Sequence, residues 1–327
     1  LHEDLADYCV EFALSHGASY AEARLEQGTS KGFLLKNGVL ESAGFGSYAG
    51  IGSRFVVNGA LGFVSVNQLT KPSLENTLSA ALKVTKASVK ISEKTRFAPS
   101  FAKKAKHEVC CRTRPESVSE EEKIALLREL DSAVLASKAK IVSRYLSLSD
   151  DVVSKYYSNS EGARIESWTP YVNVFYAFTV QAGQRTAQRN WQYGATKGYE
   201  CFGEWQLQEK LRDEAQAIAK NLSEAKPAPS GKLDLIAGPE VAGIMVHESV
   251  GHPYEADRIL GREAAQAGES FVKRDMLGTR IGSDAANVVD DPTVAEGFGH
   301  YLYDEEGVQA RAKKLMTNGV ITEFLHN

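Results

Sequence analysis

The 327-residue chain is 43% hydrophobic and 24% charged, enough apolar content to bury a substantial core spread over two or three units. Its net charge of −4 argues against a surface whose main task is to hold nucleic acid. No apolar run is long enough to cross a bilayer, the N-terminus L-H-E-D-L-A-D is acidic rather than signal-like, and four scattered cysteines (Cys9, Cys110, Cys111, Cys201) form no CxxC pair, so a cytoplasmic protein with reduced thiols is expected.

In chain order, residues 2–16 put Leu5, Tyr8, Cys9 and Phe12 on one helical face, with Gly17 as the stop. Strand-like runs follow at 21–25, 32–36, 39–42, 53–57 and 60–66. Two of the joints are Asn37-Gly38 and Asn58-Gly59, hairpin turns in which both residues must accept positive φ. An antiparallel sheet is therefore expected at the N-terminus. Pro72 opens a helix to about residue 88, with Leu74, Leu78, Ala81, Leu82 and Thr85 spaced for one buried face.

The stretch 93–115 turns basic and irregular and reads as an interdomain linker; a solvated loop and a nucleic-acid contact are its two readings, the first favoured. Ser119-Glu120-Glu121-Glu122 forms a capping box ahead of a helix carrying Ile124, Leu126, Leu127, Leu130 and Val134. Strands are expected at 141–148, 152–158, 163–168 and 172–181, then a helix at 206–223 and a clear boundary at K-P-A-P-S-G, 226–231. Between them, Arg185, Arg189, Trp191, Tyr193, Tyr199, Phe202 and Trp205 could line a groove for a peptide or single-stranded nucleic acid. An amphipathic strand pair explains them equally well.

The chemistry concentrates at 239–258, P-E-V-A-G-I-M-V-H-E-S-V-G-H-P-Y-E-A-D-R. His247 and His252 flank Glu248, and two imidazoles beside a carboxylate are what a hydrolytic zinc centre requires. Neutral ring nitrogens hold the ion, its bound water is acidified, and the carboxylate accepts the proton. We read His247 and His252 as ligands of Zn²⁺ and Glu248 as general base. The spacing is H-E-x-x-x-H rather than the common H-E-x-x-H. On a regular helix residues four apart lie roughly 40° apart, whereas residues five apart diverge by about 140°. Gly251 and Pro253 bracket His252, so a π-bulge, kink or helix end is expected between residues 249 and 253. Upstream, 233–237 (L-D-L-I-A) reads as a buried strand, and Val241, Ile244 and Met245 as the apolar face of the metal helix. Glu255 and Asp257 either orient the histidine rings or are exposed carboxylates near a helix end.

The segment H-E-S-V-G-H-P-Y-E-A-D, with N-V-V-D-D at 287–291, Y-D-E-E-G at 303–307 and T-N-G-V-I-T-E-F at 317–324, resembles the TldD branch of the TldD/PmbA family of metallopeptidases. The likeness extends to G-I-G-S-R-F-V-V-N-G-A-L-G-F-V-S-V-N at 50–67 and Y-Y-S-N-S-E-G at 156–162. It implies zinc on His247 and His252, a catalytic Glu248, and cleavage of unfolded or extended peptides inside a closed dimer. The partner is an identical chain or a PmbA/TldE-like homologue, the PmbA-like chains lacking the histidine motif. The TldD pattern also places a cysteine ligand far downstream, whereas all four cysteines here precede His247. A chain incomplete at its C-terminus is therefore expected, holding metal weakly or with solvent as the third ligand. Glu263, Glu269 and Glu296 are third-ligand candidates only if the chain is complete.

The expected fold is α+β: an N-terminal antiparallel sheet with flanking helices over 1–92, a linker at 93–115, and a central antiparallel α+β unit over 116–225. After a linker at 226–231 comes the start of a mostly β metallopeptidase domain, 232–327, which carries the metal helix. The alternative functions are a non-catalytic peptide-binding or assembly partner with a vestigial metal motif, and a regulator of a nucleic-acid enzyme, which the charge disfavours.

Overall fold

The structure, a computed structural model, describes residues 2–98, 103–263 and 269–327. The chain divides into two units between Lys226 and Pro227, with the short segments Glu296–Gly299 and Glu305–Gly307 belonging to the first.

In the first unit α1 (Glu3–Ser15) precedes an antiparallel meander of β1 (Tyr20–Lys36), β2 (Val39–Val57) and β3 (Ala60–Val66), and α2 (Lys71–Ser88) follows it. Both Asn-Gly joints take positive φ at each residue, 51° and 84° at Asn37-Gly38 and 50° and 83° at Asn58-Gly59, as the twist of a tight hairpin requires. β1 and β2 run unbroken through the glycines that divide the expected short strands. A Cβ at Gly28 would stand 2.3 Å from the Tyr48 ring. The glycine thus lets the ring lie over the opposite strand, where its hydroxyl donates to Glu26 Oε1 at 2.7 Å.

The linker expected at 93–115 contains a strand, β4 (Lys104–Glu108), and a 3₁₀ turn at Pro115–Ser117. The cap of α3 (Glu120–Leu135) has both bonds of the expected box: Glu122 N–H donates to Ser119 Oγ at 3.2 Å and Ser119 N–H to Glu122 Oε2 at 2.8 Å. Then come β5 (Lys140–Asn159), β6 (Arg164–Ala182), β7 (Arg185–Ala195), α4 (Cys201–Trp205) and α5 (Leu207–Glu224). The sheet order is β3-β2-β1-β5-β6, with β4 parallel and β7 antiparallel to different stretches of β6. Pairing of β1 with β5, from Glu22 opposite Asn159 to Lys36 opposite Tyr145, makes the segments 1–92 and 116–225 share one sheet.

Strands of 17 to 20 residues extend roughly 60 Å at about 3.3 Å per residue, so two helical layers fit side by side on one face. Ala21, Ala23 and Leu25 of β1 pack with α1 and α2, and Phe33 and Leu35, on the same face further along, pack with α3 and α5. Beneath α3 lies a buried ion pair, Lys123 Nζ to Asp150 Oδ2 at 2.7 Å, with the Tyr199 hydroxyl donating to the same oxygen at 2.6 Å. On the opposite sheet face Arg54 joins buried Glu22 (2.6 Å) to Glu306 (2.7 Å). That contact brings G-I-G-S-R and Y-D-E-E-G together from 252 positions apart.

The second unit holds α6 (Pro239–Val246), the short α7 (Ala256–Ile259) and a three-stranded antiparallel sheet, β8 (Val288–Asp290), β9 (Lys313–Thr317) and β10 (Val320–Ile321). Its core is Val250, Tyr254, Val272, Leu315, Met316 and Ile321. Two expectations fail here. Residues 233–237 form no strand, with Ile236 98% exposed, and α6 buries none of its residues: Val241, Ile244 and Met245 are all exposed. Their apolar character was read as burial, but each is more than half exposed, and an apolar run becomes core only where a second layer covers it.

Removing one member of a buried charge pair strands the other in low dielectric. Asp150→Ala is therefore expected to lower the unfolding free energy by about 3–5 kcal/mol, measured by urea denaturation. Lys123→Met combined with Asp150→Leu should recover most of that loss.

Candidate metal centre

The site is built on a change of helix type. α6 ends at Val246, and His247–Gly251 forms a π turn in which the His252 N–H donates to the His247 carbonyl. A 3₁₀ turn, His252–Tyr254, follows, and α7 begins at Ala256. The π turn closes its hydrogen bond five residues along instead of four, so it stacks positions that an α-helix would splay apart. Pro253, which has no N–H to extend the ladder, follows at once. The two rings consequently meet edge to face, centroids 4.4 Å apart and planes at 78°.

One potential ligand atom from each of His247, Glu248 and His252 lies within 4.8 Å of the others. His247 and Glu248 are exposed and His252 is half-buried. The reactive groups face outward because Val250 and Tyr254, between and after them, point into the core. The C-terminal end of the segment is fixed further: Leu325 N–H donates to the Tyr254 carbonyl (2.7 Å), Ala256 N–H to the Leu325 carbonyl (3.0 Å), and Ser270 Oγ to the Pro253 carbonyl (2.5 Å). Leu325 and Ser270 carry no motif that sequence reading could have found, since their role is set by tertiary contact alone.

Glu255 and Asp257, left open by the sequence, separate here. Glu255 Oε1 is 2.7 Å from His252 Nδ1, and its other oxygen pairs with the Arg258 guanidinium. Burial pushes the Glu255 carboxyl up, but the hydrogen bonds from Arg258 and His252 and their charge outweigh it and hold it below the ordinary carboxylate range. A carboxylate on Nδ1 favours the tautomer that carries its proton there and leaves the Nε2 lone pair free for a metal ion. Asp257 instead accepts from the Arg258 backbone N–H at 2.8 Å. Glu263, Glu269 and Glu296 are outside the cluster, and Glu296 pairs with Lys197 at 2.8 Å.

The donor chemistry fits zinc. The two imidazoles are nitrogen donors that Zn²⁺ accepts at about 2.0–2.1 Å, with a carboxylate close by that is free to act on a bound water.

In the other two candidate regions several residues make contacts within the fold. Arg189 makes a double hydrogen bond to Glu214 of α5, at 3.0 and 2.8 Å, and Lys210 of the same helix lies over the Tyr193 ring. Tyr199 and Phe202 belong to the core with α3 and α5. In the basic stretch Lys106 pairs with Glu166, Arg112 with Glu204 and Arg114 with Glu108, and Arg114 also stacks on Trp168. Of the thiols, burial pushes Cys9 and Cys201 up to about 12, so neither is a reactive thiolate.

Three family models match in succession: PmbA/TldA metallopeptidase domain 1 over 21–85, the central domain over 113–224, and the C-terminal domain over 230–327. The chain belongs to the PmbA/TldD metallopeptidase family. A metalloprotease of Methanocaldococcus jannaschii is 32% identical to it over 94% of this chain and 66% of its own length. This member of the family thus spans just under two thirds of that relative. Among solved structures, a Bacteroides thetaiotaomicron protein named as a candidate modulator of DNA gyrase superposes with a TM-score of 0.76 at 17% identity, over 98% of this chain and 71% of that one. TldE of Thermococcus kodakarensis gives 0.69 at 14% identity, over 98% and 69%. At these identities the two structures establish the PmbA/TldD fold alone.

If Glu255 orients His252, Glu255→Gln should weaken Zn²⁺ affinity roughly 10- to 100-fold, read by competition with a chromophoric chelator. Asp257→Asn should leave that affinity unchanged.

Proposed function

We propose that this chain is a catalytic, TldD-type member of the family: a zinc-dependent peptidase of the cytoplasm that hydrolyses unfolded or extended peptides. The observation that carries the reading is the π turn, which brings the His247 and His252 rings together with Glu248 beside them. Its relatives' name as metalloproteases supports the reaction class. Among the described residues no helix is long and apolar enough to cross a membrane.

His247 and His252 would hold the ion, which when bound polarises a carbonyl and acidifies water. Glu248, next to His247 and exposed to solvent, would take the proton from the attacking water at its carboxylate and deliver it to the leaving amine. Glu255 keeps the His252 ring oriented through Nδ1. Val250 and Tyr254 hold the segment rigid, so that approach of a peptide costs little rearrangement. We further propose that the protein acts as a dimer, with an identical chain or a TldE-like homologue.

Glu248→Gln keeps the shape of the side chain and removes its basicity. Peptide cleavage should fall by about 10²–10⁴ while bound zinc, measured by elemental analysis, stays the same. Cleavage that persists at the original rate would overturn the assignment of Glu248. A wild-type protein that binds zinc but cleaves no peptide would favour the non-catalytic binding partner.

A further inference from the structure

Along the seven-stranded sheet a long stretch of β2 has one side unpaired among the described residues. β2 pairs with β1 along its whole length, but on its other side β3 covers it only from Ile51 to Val57. Between Leu34 and Leu35 the register slips so that Glu41 is the extra residue on β2. Between that bulge and the start of β3 lie nine residues, Ser42 to Gly50 (S-A-G-F-G-S-Y-A-G), with no outer partner among the described residues. They carry no charge and no proline. Phe45 is 65% exposed and Tyr48 53%. Exposed edges are ordinarily blunted by charges, prolines or bulges, because their free N–H and C=O groups template strand addition. The edge strand β7, by comparison, carries Arg185 and Arg189.

We propose that Ser42–Gly50 is the interface with a second copy of this chain, joined by antiparallel pairing of β2 with β2 about a two-fold axis perpendicular to the sheet. This rests on the dimeric reading above and is independent of the metal centre. The occupant is argued from self-complementarity. In an antiparallel pair opposed residues share a face, so a two-fold axis must set one residue against its own copy. The segment is nine residues long, and the register that uses all of it centres on Gly46. Ser42 then opposes Gly50, Ala43 opposes Ala49, Gly44 opposes Tyr48 and Phe45 opposes Ser47. Each ring meets a small residue, as Tyr48 meets Gly28 within the chain. No charge opposes a like charge, and the bulge at Glu41 and the first β3 pair, Ile51 with Val66, end the interface on either side.

The test uses the whole chain. Light scattering coupled to size exclusion should show a dimer, and Phe45→Lys, which sets two cations near the axis without touching the core, should raise its dissociation constant roughly 100-fold or more with an unchanged circular dichroism spectrum and melting temperature. Ser47→Cys should crosslink to its copy through a short bis-maleimide far beyond the background from exposed Cys110 in the unsubstituted chain. A monomeric wild type would sink the dimeric reading itself. A dimer that survives Phe45→Lys and gives no Ser47→Cys crosslink would leave that reading standing and overturn this interface.

Discussion

The candidate metal centre depends on one backbone hydrogen bond, from the His252 N–H to the His247 carbonyl. An α-helical bond at this point would reach only four residues back and leave the two rings on diverging faces. The extra residue taken into the turn brings the rings to 4.4 Å and leaves Glu248 beside them. A π turn is rare and occurs mostly as a single turn within an α-helix, so something must hold it. Val250 within the turn and Tyr254 after it are both anchored in the core of the second unit, and Ser270 and Leu325 bind the carbonyls of Pro253 and Tyr254. The site is therefore held from its C-terminal side by tertiary contacts, while α6 leads into it with its apolar residues exposed.

The first unit solves a different problem. Strands this long could not be covered by one helical pair, and the sheet carries two pairs in tandem, α1 with α2 and α3 with α5. Charges that end up inside are matched at close range: Lys123 with Asp150, and Glu22 with Arg54 and Arg24. Buried pairs of this kind contribute little net stability but penalise any packing that separates them. The Glu22, Arg54 and Glu306 chain does so across sequence-distant motifs. The same accounting covers several residues of the regions that looked functional by composition. Arg189, Tyr193 and Tyr199 spend their contacts on α5 and the core, and Lys106, Arg112 and Arg114 meet carboxylates, Arg114 also Trp168.

Much of this was legible in the residues. Asn-Gly pairs specify tight hairpins because few other dipeptides tolerate two positive φ values, and Ser119 with Glu122 marks a helix start by satisfying two orphaned N–H groups. The H-E-x-x-x-H spacing carried its own consequence, since five residues and a following proline cannot be reconciled with an unbroken helix if both rings serve one site. These signals are local, and the physics that decides them acts within a few residues. The breaks expected within β1 and β2 were not there, because glycine weakens a strand only where no neighbouring side chain fills its place, and at Gly28 the Tyr48 ring does. Those expected within β5 and β6, at Asp150-Asp151 and around Pro170, were not there because neighbouring strands pair continuously across them.

By itself, then, the sequence determined the α+β class, the hairpins, the caps and the distorted turn that gathers His247, Glu248 and His252. The tertiary structure alone decided that residues before and after the basic stretch share one sheet, that β4 joins it in parallel, that Glu255 rather than Asp257 holds the His252 ring, and that 233–246 lies exposed. Each of those depends on which distant segment arrives alongside. Backbone conformation is set by a residue and its near neighbours, whereas burial and pairing belong to two surfaces at once, and a sequence read along its length shows only one of them.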